Sequence, residues 1–212
     1  MAAAKSLVIP VYGDVDLLDV AGVWEMMSWA GVEVDIAAVE AGEVAARAGF
    51  TFKAKDFAHA RGPYSAIWVP GGEPKALARL MGDPDGPYLR YVKAQAKRAE
   101  WICSVCNGAG LLAAAGLLDG HEATTHWGFV PCLMKLFPKV KVADGHPRFV
   151  ISGNRLTGGG ISSGLDAALK LIELLTDADT ARRAQQTTQY YPDPPVTSRI
   201  PNVVDCDLPP LA

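Results

Sequence analysis

Cys106 is the residue best placed to do covalent chemistry. It follows an apolar strand pattern, Trp101-Ile-Cys-Ser-Val105, and is followed at once by Asn107-Gly108-Ala109-Gly110 and an Ala/Leu-rich helical run. A nucleophile at a strand, turn, helix corner has the arrangement of a nucleophile elbow. The corner pushes its side chain into the open, and the unpaired N–H groups of the helix start point partial positive charge at the sulfur. Both effects favour the thiolate, the reactive form. Gly108 and Gly110 are the small residues that a sharp elbow and close helix packing need. An arbitrary free cysteine is ordinarily a buried structural one; the elbow position sets Cys106 apart.

The other three cysteines lack such a context. Cys103 forms a C-x-x-C pair with Cys106, but positions three apart on a strand point to opposite faces, whereas a dithiol redox site has both cysteines at a helix start. Cys103 therefore reads as core. Four cysteines at irregular spacings do not form the framework of a small secreted domain, so free thiols are the expectation, with no partner assigned to Cys132 or Cys206. One C-x-x-C without a second pair or nearby His ligands argues against zinc, and no metal is expected.

A thiolate attacking a carbon electrophile needs nearby donors for the charge that develops. Val69-Pro70-Gly71-Gly72-Glu73-Pro74 places a diglycine turn after an apolar strand, and Gly71 and Gly72 are candidate N–H donors there; a tight turn without a ligand fits the segment equally. Asn107 offers its own N–H and a side-chain amide beside the nucleophile. A second glycine cluster, Gly158-Gly159-Gly160-Ile161-Ser162-Ser163, lacks the Lys-Ser/Thr of a phosphate loop and reads as a third strand-to-helix turn reaching the same edge, with Ser162 as a possible cap. Of four histidines, His126 in Ala123-Thr-Thr-His-Trp127 is one that folding can bring near Cys106, although Thr124 or Thr125 capping a helix with a satisfied His fits as well. Asp19, early in the first helix, can face the same edge; a first-turn acid is usually a dipole partner.

These turns need a sheet to hold them. Ser6 to Tyr12, Val32 to Val39, Ser65 to Val69 and Trp101 to Val105 are short, nearly continuous apolar runs, as strands covered on both faces should be. Helical periodicity covers Leu17 to Ala30, Pro74 to Met81, Pro87 to Ala99, Asn107 to Leu117 and Ile161 to Leu175. Asp14 or Asp16 is a candidate cap for the first helix, and Glu73-Pro74 fits a helix start. Alternation of this kind implies an α/β doubly wound sandwich, mostly parallel, with helices on both faces. Val140 to Val142 and Arg148 to Ile151, with Gly153-Asn154 as a turn, predict an antiparallel excursion at a sheet edge. From about Gln189 the prolines exclude a helix and predict an extended tail lying on the surface or on a second subunit.

Half of the 212 residues are apolar and a fifth charged, which fits one domain spanning 1–212. The net charge of −3, without a basic cluster, argues against a nucleic-acid partner. The first apolar run, Leu7 to Tyr12, contains Pro10 and is too short for a signal core or a membrane span, so no membrane partner and a cytoplasmic location are expected.

The stretches Ser104-Val-Cys-Asn-Gly-Ala-Gly110, Ala114-Ala-Gly-Leu-Leu-Asp-Gly120, Ala123-Thr-Thr-His-Trp127 and Leu156-Thr-Gly-Gly-Gly-Ile-Ser-Ser-Gly-Leu-Asp166 together resemble the ThiJ/PfpI superfamily, and within it the bacterial isocyanide hydratases. Leu18-Asp-Val-Ala-Gly22, Val69-Pro-Gly-Gly72 and the tail Gln189-Tyr-Tyr-Pro-Asp-Pro-Pro195 fit the same pattern. The resemblance implies a flavodoxin-like homodimer with no cofactor, Cys106 as nucleophile, Asp19 as the acid hydrogen-bonded to it, and Ile161 on the helix beside it. It implies hydration of a small isocyanide to an N-formamide. Two positions depart from it. Asn107 stands where the hydratases carry Thr or Ser, and Val23 stands where proline is expected. Three alternatives stay open: a glyoxalase or deglycase acting on small dicarbonyls, a cysteine redox sensor without turnover, and the ligand-binding module of a regulator. The last would need an attached DNA-binding region, and no segment reads as one.

Overall fold

The computed structural model describes residues 4–211. Met1 to Ala3, the start of the segment read for a leader, and Ala212, the end of the expected domain, lie outside them. In chain order the elements are β1 (Ser6–Pro10), α1 (Leu17–Trp29), β2 (Glu33–Ala38), β3 (Gly42–Ala45), β4 (Thr51–Asp56), β5 (Ala66–Val69), α2 (Pro74–Gly82), α3 (Pro87–Ala96), β6 (Trp101–Ser104), α4 (Gly108–Ala114), β7 (Glu122–Ala123), α5 (Val130–Leu136), β8 (Lys141–Val142), β9 (Phe149–Ser152), β10 (Arg155–Gly158), α6 (Ser163–Leu175) and α7 (Ala178–Thr187). A 3-10 turn, Trp127–Phe129, leads into α5.

Eight strands form one sheet in the order β3-β4-β2-β1-β5-β6-β10-β9. The six from β4 to β10 run parallel, and an antiparallel strand closes each edge. The sheet winds from β1 to β2 on one side and from β5 through β6 to β10 on the other. Right-handed crossovers then put α1 on one face and α2, α3 and α4 on the other. α6 and α7 pack with α1. Burial follows this layering: every residue of β5 is buried, whereas the edge strands β3 and β9 are covered only in part. At the α1–α6 crossing Gly22 allows close approach, since a Cβ there would lie 3.0 Å from Leu165 Cδ2.

The four expected central strands and five expected helices form. The β9–β10 hairpin turns at Gly153, whose φ is 60°, as the Gly-Asn pair predicts. Val142 does not join that excursion: β8 pairs parallel with β7 in a separate two-stranded sheet. Helices α5 and α7 and the β3–β4 hairpin add to the expected set. Beyond Gln189 the chain has no regular secondary structure through Leu211. The expectation of four free thiols is corrected, because Cys132 on α5 and Cys206 in the tail are joined by a disulfide and only Cys103 and Cys106 are free. The tail folds back over α5, and a sequence separation of 74 gave no local cue to that pairing.

Candidate active site

The turns after β1, β5, β6 and β10 converge at the carboxyl edge of the sheet, beside the point where the winding reverses between β1 and β5. This is the edge at which open α/β sheets bind ligands. Cys106 occupies the corner between β6 and α4 with φ 57°, a left-handed conformation that costs a side-chain-bearing residue about 1–3 kcal/mol and persists only where its surroundings enforce it. Here they do. The Cys106 N–H donates to Gly159 O at 2.8 Å, and Thr125 Oγ1 donates to the Cys106 carbonyl at 2.8 Å. Gly108 fits against β5, where a Cβ would lie 2.4 Å from Val69 O, whereas Gly110 faces Phe129 and Met81.

Cys106 is 3% exposed and opens onto a cleft of ≈ 350 Å³ whose walls include Asp16, Arg47, His126, Phe129 and Ile161. The backbone N–H groups of Ile161 and Asn107 point at the thiol and lower its pKa. Burial outweighs them and holds the thiol well above its ordinary value, and a charge on Asp19, once that carboxyl ionises, pushes it further in the same direction. The elbow alone predicts a thiolate; in this setting the resting form is the protonated thiol. Asp19 is 1% exposed, and its backbone carbonyl accepts from Trp68 Nε1 at 3.0 Å. Its Oδ2 accepts from the Gly71 N–H at 2.8 Å, while Oδ1 is buried without a partner. Burial raises this carboxyl from 3.8 to about 8, against the Gly71 bond and with help from the Asp16 charge, so Asp19 holds its proton at neutral pH.

Cys106, Asp19, Gly71, Gly72, Asn107 and Ile161, the residues singled out from the sequence, all meet at this edge. The hydrogen bond between Asp19 and Cys106 implied by the resemblance is not formed. One ligating atom each from Asp16, Asp19 and Cys106 lies within 4.8 Å of the others, and the thiol donates to Asp16 Oδ2 at 4.0 Å. The amides of Gly71 and Gly72, expected as free donors, are taken, because two side chains converge on the turn. Asp19 claims the first, and Asn107 Oδ1 accepts from the Gly72 N–H at 2.9 Å. Asn107 Nδ2 in turn donates to Gly72 O at 2.9 Å, so its amide fastens the β5 turn to the elbow rather than lining the cleft. Gly71 has no room for a side chain, since a Cβ would sit 2.3 Å from Asn107 Oδ1 and 2.8 Å from Cys106 Cβ.

His126 does reach the cleft. Its Nδ1 accepts from the Gly128 N–H at 3.1 Å, which caps the 3-10 turn and leaves the ring proton on Nε2. Burial lowers its pKa, so the ring is neutral. Thr124 and Thr125, the expected caps, instead bond to the Pro147 and Cys106 carbonyls. Ser162 stands at the start of α6 without a side-chain cap bond.

Asp16 and Arg47 were not singled out as site residues. Asp16 holds the N-cap position of α1 without making a cap bond, and its Oδ1 accepts from Arg47 Nε at 3.0 Å. The pair meets because Val15 bridges both Ala46 and Gly72, stitching the turn after β1 between the β3–β4 hairpin and the diglycine turn. A cap residue that spares its carboxylate leaves no mark in the sequence.

Residues 5–174 match the model of the DJ-1/PfpI family. The chain is similar to an isonitrile hydratase of Pseudomonas putida, with 40% identity over 136 residues that cover 64% of this chain and 56% of that protein. It is 27% identical to the Parkinson disease protein 7 homolog of Danio rerio over 87% of this chain and 96% of that one. Among solved structures, a ThiJ/PfpI family protein from Pseudomonas syringae superposes with a TM-score of 0.82 at 30% identity, over 92% of this chain and 78% of that one. A match across 170 residues, which takes in the elbow, the glycine turns and the sheet that holds them, means that the chain belongs to the DJ-1/PfpI family.

Proposed function

We propose that this protein is an isocyanide hydratase that uses Cys106 as nucleophile and Asp19 as proton carrier. The observation that carries the reading is the unpartnered, buried Oδ1 of Asp19, on a carboxyl that keeps its proton to about pH 8, close to the elbow thiol. An isocyanide needs two things at one carbon: a nucleophile and a proton. The sulfur bonds to the terminal carbon while Asp19 gives that carbon its proton, and the proton leaving the thiol passes to its partner Asp16 and from there to Asp19. The product is a thioimidate, with the acid restored. The N–H groups of Asn107 and Ile161 stabilise the negative charge that gathers on sulfur during the attack. Water then adds to the same carbon, nitrogen is protonated, and the C–S bond breaks to release an N-formamide and the free thiol. The balance is isocyanide plus water to formamide, and no step calls for a cofactor.

The similarity to the hydratase supports the substrate class, and the neutral pair favours it over a peroxide sensor, which works best with a depressed thiol. The active form is proposed to be a homodimer acting on a small molecule. The reading is tested by incubating the protein with an alkyl isocyanide and following N-formamide by NMR. Cys106→Ala is expected to lose turnover by roughly a thousandfold or more. Formamide produced equally fast by that variant would overturn the proposal.

A further inference from the structure

A second cavity lies beside the cleft that holds the nucleophile. His126 and Ile161 wall that cleft and also wall this second cavity of ≈ 530 Å³, whose other sides include Trp127, Arg148, Ser198 and Ile200. Ser198 and Ile200 belong to the C-terminal tail, and residues 191–202 of that tail are all exposed and without secondary structure. Holding one backbone residue in a single conformation costs about 1–2 kcal/mol, so a stretch with this little burial does not stay over a cavity unaided. What fastens it lies just beyond, where Cys206 is bonded to Cys132 on α5 and Leu208 packs against the core. The turn that leads into α5 carries Trp127 and Phe129, one on each cavity, so the disulfide ties the tail to the element that already shapes the site.

We propose that Cys132–Cys206 is a redox-sensitive tether that keeps the tail as the outer wall of the site, and that this wall limits the size of the substituent the reacting carbon can carry. A dithiol reductant opens it in two exchanges. One reductant thiolate attacks a tether sulfur, breaking the S–S bond and forming a mixed disulfide. The second closes the reductant's own disulfide, leaving Cys132 and Cys206 as thiols. With the tether open, the tail returns to solvent and the second cavity loses a side.

The inference rests on the proposed function only in taking Cys106 as the reactive group, and its test does not use isocyanide turnover. Alkylation of Cys106 is timed with iodoacetamide and with the bulky N-(1-pyrenyl)maleimide, read by peptide mass spectrometry. The wild-type protein is compared with Cys132→Ser/Cys206→Ser, which adds no new thiol. The ratio of the bulky rate to the small one is expected to rise roughly tenfold in the double variant, with the iodoacetamide rate unchanged within about twofold. Ile200→Ala, with the disulfide intact, is expected to raise the same ratio and serves if the double variant does not fold. An unchanged ratio in folded double variant, or in Ile200→Ala where only that variant folds, overturns the proposal. Failure to hydrate isocyanides would sink the functional reading and leave this ratio as informative as before.

Discussion

Burial makes a charge costly on Asp19 and on Cys106 alike, a charge on Asp16 adds to the cost at Asp19, and a charge on Asp19 would add to the cost at Cys106. The cheapest resting state keeps both protons, which suits a reaction that must deliver a proton to carbon. Hydration is therefore predicted to be steady in acid and neutral solution and to fall as pH rises through about 8, where Asp19 ionises; a pH–rate profile checks this. The same shift bears on stability. Because the folded carboxyl titrates near 8 and the unfolded one near 3.8, the native state binds the extra proton between those values, and stability falls as pH climbs across that window. Asp19→Asn escapes the loss. Urea unfolding at pH 5 and pH 8.5 should show the variant gaining on the wild type at the higher pH by a few kcal/mol, to order of magnitude. The sequence made Cys106 legible because a nucleophile between an apolar strand and a glycine-rich helix start has few other uses. It did not reveal the thiol's protonation state, since that depends on burial and on Asp19, which comes from another element.

Three turns from separate βα junctions have to meet within a few ångström, and Gly71, Asn107 and Gly159 are where they touch. Asn107→Ala leaves the buried N–H and C=O of Gly72 without partners, and a loss of about 1–3 kcal/mol is expected in denaturant melts. Gly71→Ala forces a methyl into the Asn107 amide and the Cys106 Cβ; a destabilisation of about 1–3 kcal/mol is expected, together with loss of turnover. Among the elements, the sequence was readable wherever strands are covered on both faces, because a short, continuous apolar run such as Ala66–Val69 suits little besides a buried strand. The β3–β4 hairpin was not, since its residues are mostly exposed and the alternation in Thr51-Phe-Lys-Ala-Lys55 rests on only two apolar residues. Helix α7 escaped for a similar reason: of its ten residues only Ala184 is buried.

Among the described residues no helix is long and apolar enough to cross a membrane, yet the surface is not uniformly polar. Trp24 is 45% exposed and Phe50 57% exposed, and both line an apolar groove between α1 and the β3–β4 hairpin. Such a face suits the proposed homodimer, and Trp24→Glu is expected to halve the mass seen by sedimentation equilibrium while leaving the monomer folded. The Cys132–Cys206 bond was beyond sequence reading because the tail's return over α5 is set by the whole molecule. The proposed mechanism depends on a covalent bond between Cys106 and the isocyanide carbon, and intact-protein mass spectrometry under single-turnover conditions, quenched in acid, looks for that bond itself. Addition of S–H across the carbon predicts a transient gain equal to the full mass of the isocyanide, mapped to Cys106 and missing in Cys106→Ala. Formamide appearing with no such adduct at any time, or an adduct on another residue, would rule the mechanism out.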